Sequence, residues 1–265
     1  NIKEIIHANG LYSEKQYAQA AQAYESLIHN GVRNGHLHYN LGNTYIRMGK
    51  TGPAILNYIQ ARKLIPRDEN LQANLKFAIQ QTQDQIELPQ PDTLNTLFFW
   101  SDDFNLNELI TISMALNLVF WVTFIFWNYF RSSTLEMGRN IFLGFLLLSI
   151  FAIGVKLKTE SGTKLGVVLI KKAAVKSEHA TDSMTLFQLH EGALVTVTDH
   201  HGNWFKIHLN DEQKGWIAKD SLGTLYLFGA TSMTRKRPRT IGGWGAIRSS
   251  LKMAHRGGGL WPMLK

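Results

Sequence analysis

The sequence predicts a multidomain chain in three parts: an all-α helical solenoid, a two-helix transmembrane hairpin and a small all-β barrel. Three observations predict it. Residues 1–80 echo themselves at a shift of 34 positions. Residues 109–157 hold two long uncharged runs separated by a short polar stretch. Residues 160–226 break into short alternating segments divided by turn residues. The corresponding divisions are a helical domain over 1–85, a linking or interfacial segment over 86–108, a first membrane helix over 109–130, a short loop over 131–140, a second membrane helix over 141–157, the barrel over 163–226 and a basic, disordered tail over 227–265.

The chain has 265 residues and no cysteine, which removes disulfides, thiolate catalysis and cysteine-based zinc sites. Its net charge of +8 is unevenly placed. Residues 1–233 carry 20 basic and 20 acidic side chains, and residues 234–265 carry eight basic ones and no acid. The excess therefore belongs to the tail, which excludes a globally basic, nucleic-acid-coating protein. The tail itself, rich in glycine and without periodicity, reads as disordered. Anionic lipid or nucleic acid is its alternative ligand. Because the first residue is Asn1, a cleaved signal peptide upstream is expected.

In the helical part, Asn9 falls on Asn43, Ala20 on Ala54 and Tyr24 on Tyr58. Ala8 matches Gly42, Leu11 matches Tyr45 and Leu27 matches Ala61. Small residues stand where two helices cross closely, and the tyrosines fill the space beside them. Gly49 marks a turn, Pro53 suits the first turn of a helix, and Pro66 ends one. Asp68 caps a fifth helix, in which Leu75 lies 34 after Leu41. A period of 34 residues, with Leu41, Gly42, Tyr45, Ala54, Tyr58, Ala61 and Pro66 at their spacings, resembles the tetratricopeptide (TPR) family. Gly52-Pro53 departs from that family's common acidic pair. The resemblance implies a TPR solenoid of about two and a half repeats. Its inner face carries Asn9, Tyr12, Tyr39, Asn43, Ile46 and Arg47. In peptide-binding members the equivalents of Asn9 and Asn43 hold backbone or a terminal carboxylate. Asparagine is also a common solvated repeat residue, and no basic pair on a later repeat completes a carboxylate clamp.

The segment before the membrane, with Leu94, Leu97, Phe98, Phe99 and Trp100, reads either as an interfacial anchor or as packing under the helical domain. Asp102 and Asp103 read as solvated charges at the start of the next helix. From Leu109 to Phe130 there are 22 residues without a charge, enough for a helix of roughly 33 Å, the depth of a bilayer core. The second run, Ile141 to Val155, has 15 residues, with Lys156 and Lys158 placed to snorkel. Trp121, Trp127 and Tyr129 suit a membrane interface. Asn117 bonds either across the hairpin or to its own backbone. The segment before Leu109 has acids and no base, whereas Arg131 and Arg139 lie in the loop. The positive-inside rule then places the loop in the cytoplasm and both flanking domains outside.

Beyond the hairpin, Val167–Ile170, Ala174–Ser177, Leu186–Gly192 leading into ALVTVTD, Trp204–Leu209 and Gly215–Ile217 read as five short strands, consistent with a small barrel. The pieces AVKS, LHEG, VTVTD, NWFKI and KGWIAKDSL resemble the bacterial SH3 (SH3b) family. Trp204 and Trp216 serve the barrel, one packing and one partly exposed, and in this family an exposed aromatic groove binds peptide or cell wall. The histidines match no ligand motif and read as structural or surface residues, so no metal is expected.

The order of parts resembles the BatE-type TPR–SH3 membrane proteins of Bacteroides aerotolerance (Bat) operons, over about residues 3–225. That resemblance implies a two-pass inner-membrane protein with both soluble domains in the periplasm. It also implies von Willebrand-type Bat membrane proteins and a MoxR-type ATPase system as partners, and a role in the cell envelope or oxidative stress. With no P-loop, HExxH or GxSxG, no enzyme and no cofactor are expected. The two functions open to such a chain are a membrane-anchored adaptor and a peptidoglycan-binding envelope sensor.

Overall fold

The computed structural model describes residues 2–84, 103–162, 164–209 and 213–224. Within these lie seven α-helices and a separate antiparallel sheet, a helical plus β multidomain layout. Leu94–Trp100, Asp102 and the tail over 227–265 lie outside the described residues.

Helices α1 (Ile2–Ser13), α2 (Tyr17–His29), α3 (Gly35–Arg47), α4 (Thr51–Leu64) and α5 (Glu69–Gln80) pack each on the next. Ala8, Ala20 and Ala54 are wholly buried where neighbouring helices meet, and Tyr24 and Tyr58 fill the core beside them. Starts are set by side-chain caps: Asn34 accepts from the His36 N–H, and Asp68 accepts from the Leu71 N–H. The turns after α1 and α3 each need one left-handed residue, Lys15 at φ 62° and Gly49 at φ 70°, again 34 positions apart. Glycine takes that conformation without the steric penalty that a Cβ brings.

The apolar hairpin is formed by α6 (Leu106–Phe130) and α7 (Ser133–Gly162), two helices long and apolar enough to cross a membrane. A capping box of Asn105 and Glu108 starts α6. Three details differ from the expectation. The loop over 131–140 contracts to Arg131 and Ser132, because Arg131 turns left-handed at φ 50° and α7 begins at Ser133. Starting the helix early satisfies backbone groups that an apolar surrounding cannot solvate. Asn117 is exposed, and its side chain makes no hydrogen bond to the described residues. The bond across the hairpin runs instead from the Ser113 hydroxyl to that of Ser149, at 2.8 Å. Lys156, expected to reach outward, donates its ammonium to the Phe104 carbonyl. At the turn, the guanidinium of Arg139 lies 4.0 Å from the Trp127 ring centroid.

The sheet has seven strands rather than about five: β1 (Lys164–Val168), β2 (Lys172–Lys176), β3 (Thr185–His190), β4 (Leu194–His201), β5 (Trp204–His208), β6 (Lys214–Ala218) and β7 (Leu222–Thr224), ordered β3-β2-β6-β5-β4-β1-β7. The three-residue β7, paired with β1, is too short to show alternation in sequence. Val168, Val175, Val195, Phe205, Ile207 and Ile217 form the core on one face.

Helical domain and sheet share a joint. Val167 and Leu194 of the sheet belong to the same buried cluster as the helices. The N-terminal turn of α4 has no acid, and the Lys50 side chain does not cap it. Glu191, from the turn between β3 and β4, accepts from the Gly52 N–H at 3.1 Å and supplies the missing negative charge. A Cβ on residue 52 would lie 2.3 Å from the Val168 carbonyl oxygen, so only glycine admits this approach. Beside it, Asp84 accepts from both the His190 backbone N–H and, at 3.0 Å, the imidazole Nδ1. Replacing Gly52 by Ala is expected to lower stability by about 1–3 kcal/mol, as overpacking does. Gly10→Ala, at a mid-helix site with open space around it, is expected to raise stability by about 0.5–1 kcal/mol. Thermal unfolding of the detergent-solubilised variants reads both, and equal melting points would contradict the joint.

Candidate peptide groove and barrel face

Four of the six predicted inner-face residues, Tyr12, Asn43, Ile46 and Arg47, line one cavity of about 270 Å³ together with Tyr58, Asn74 and Phe77. Asn9 lines an adjoining cavity of about 170 Å³ with Tyr12, Ser13, Tyr24, Asn40 and Asn43. Tyr39 lines neither. Its hydroxyl accepts from the Asn74 amide at 3.1 Å, and its ring leans on Tyr58 at 6.1 Å.

One hydrogen-bond unit builds both cavities. The Tyr24 hydroxyl donates to Asn9 Oδ1 at 2.6 Å, and Asn40 Nδ2 donates to the same oxygen at 3.3 Å. Thirty-four residues on, the Tyr58 hydroxyl donates to Asn43 Oδ1 at 2.7 Å and Asn74 Nδ2 donates at 3.0 Å. Burial raises the pKa of both tyrosines, so they remain protonated donors. Two donors on each Oδ1 fix the carboxamide, leaving Nδ2 as the group offered to the cavity. No acid lines either cavity, and the exposed Arg47 guanidinium stands beside the Tyr12 hydroxyl, which favours its charged form. The surface is rich in donors and suits carbonyl or carboxylate oxygens. Phe77, 57% exposed, adds an apolar contact. Asn40 and Asn74 were legible as a further pair at the 34-residue shift. Phe77 was not, since nothing in α5 by itself shows which face meets α3.

On the sheet, Trp204 and Trp216 both lie on the outer face. Phe205, Ile207 and Ile217 alternate with them and fill the core, which corrects the expectation that one tryptophan packs inside. Trp216 stands opposite Lys176 on one neighbouring strand and Lys206 on the other. The LHEG segment, by contrast, faces the helices. Among the described residues no group of three or more His, Asp or Glu is placed to hold a metal ion.

Residues 171–223, which hold strands β2 to β6 and the start of β7, match the bacterial SH3 domain family and form a bacterial SH3 domain. No curated protein matches the chain.

Tyr58→Phe removes one of the two donors on Asn43 Oδ1 and is expected to cost about 1 kcal/mol in thermal or denaturant unfolding. His38 yields a pH dependence. Burial lowers its pKa, and the contact with Asn57 at 3.2 Å opposes this in part. The unfolded chain therefore binds the proton first. Stability from neutral His38 is complete above the unfolded value of about 6.5 and is lost as pH falls through the lower folded value. His38→Gln is expected to flatten that part of the profile of melting temperature against pH.

Proposed function

We propose that this chain is a membrane-anchored, non-catalytic adaptor. Its helical domain is a short TPR stack whose groove holds an extended segment of a protein partner, and its SH3 domain presents the Trp204 and Trp216 face to a second peptide or to wall material. The observation that carries this reading is the repeated tyrosine–asparagine unit. It pre-orients Asn9 and Asn43 toward one donor-rich groove, and a partner's backbone supplies the acceptors such a groove needs.

The order of helical repeat, apolar hairpin and SH3 domain supports a place among the BatE-type proteins of Bat operons. In that reading both domains are periplasmic, and the partners are von Willebrand-type membrane proteins served by a MoxR-type ATPase. Cross-linking and affinity capture from membranes tests it. Asn43→Ala and Arg47→Ala are expected to release a partner that the unaltered chain retains. Retention of the same partner by both variants rejects the groove as its docking site.

A second reading is favoured by the SH3 match together with the outward tryptophans: a wall-binding envelope sensor. Here the full chain is expected to sediment with purified murein and to lose this property on Trp204→Ala and Trp216→Ala. Failure of the unaltered chain to sediment removes that reading.

A further inference from the structure

A pair of histidines from distant parts of the SH3 domain comes together on its outer face. His179 belongs to the loop between β2 and β3, and His201 ends β4. Their ring centroids are 4.3 Å apart, and His179 also meets the edge of Trp216 at 5.2 Å. Both positions are built. His201 is set by the two-residue turn Gly202-Asn203, in which Gly202 has φ 54°, and it pairs with Trp204. The loop carrying His179 is closed by its own hydrogen bonds. The Ser183 hydroxyl reaches the Glu178 carbonyl at 3.0 Å and the Ala180 carbonyl at 2.7 Å, the Ser177 N–H donates to the Met184 carbonyl at 2.9 Å, and the Lys176 ammonium donates to the Ser183 carbonyl at 3.0 Å.

Among the described residues neither imidazole of the pair makes a hydrogen bond or an ion pair. Two adjacent imidazoles whose ring nitrogens no described residue claims suit a borderline-soft cation as ligands. We propose that His179 and His201 form a two-histidine site for a divalent transition ion of the Zn²⁺, Cu²⁺ or Ni²⁺ type. Two protein nitrogens leave the remaining coordination positions, two of them on a tetrahedral Zn²⁺, to water or to a donor group of a partner. The site lies on the same outer face as Trp216, away from the turn that carries Glu191 into the helices. It therefore makes ion-dependent contact available on this face without disturbing the joint.

The test is isothermal titration of the full-length chain in detergent with Zn²⁺ alone, for the unaltered protein and for His179→Asn, His201→Asn and His200→Asn. His200, also exposed, takes no part in the ring pair and serves as the control. One ion per chain is expected, weakened at least about tenfold by either change in the pair and unaffected by the control. The proposal fails if the unaltered chain takes up no Zn²⁺. It also fails if uptake survives both single changes, or if His200→Asn weakens it equally.

Discussion

A carboxylate from the SH3 domain sits on the open N-terminus of α4, and a carbonyl from the first strand of the same sheet occupies the space where a side chain on residue 52 would begin. Much of the arrangement depends on this contact. Helix α4 forms the centre of the helical domain, with Ala54, Ile55, Tyr58 and Ala61 buried. Its other end is also held, because the Leu64 carbonyl accepts from the side chain of Asn105, the residue that caps the first apolar helix. Arg67 and Glu108 add an ion pair nearby. Exposed as it is, that pair contributes little energy and mainly orients. One helix thus bridges the SH3 domain and the apolar hairpin, and the helical domain and the sheet are joined through packed and hydrogen-bonded contacts rather than through a linker alone.

The absence of an acid at the start of α4 has its explanation here. A negative charge at a helix N-terminus is favourable wherever it comes from. With Glu191 supplying it from 139 positions away, a local acid at residue 52 would add a side chain where there is no room. Gly52 without a local acid is therefore the mark of a helix end that serves as an interface.

The groove follows from a different economy of polar groups. Tyr24 and Tyr58 are buried for their rings, and their hydroxyls need acceptors. The asparagines on the preceding helix provide them, and in doing so turn their amide N–H groups toward the cavity. Core packing and surface chemistry are thus set by the same pair of residues in each repeat. The adaptor reading draws on this: a groove whose donors are already oriented loses less freedom on binding than one whose side chains must first be ordered.

Features governed by local periodicity could be read directly from the residues. Uncharged runs marked the two apolar helices, alternation marked the strands, and the shift of 34 marked the helical pairs, down to Gly49 in its turn and Asp68 at its cap. These signals survive in a single sequence because the backbone repeats every 3.6 or 2 residues whatever lies around it. Long-range choices left no such trace. That Ser113 rather than Asn117 bonds across the hairpin, that Phe205 rather than a tryptophan fills the SH3 core, and that Glu191 caps α4 each depend on which faces meet after folding. Partners brought together from 36 to 139 positions apart are selected by shape, burial and unsatisfied hydrogen bonds in three dimensions, and no spacing along the chain records that selection.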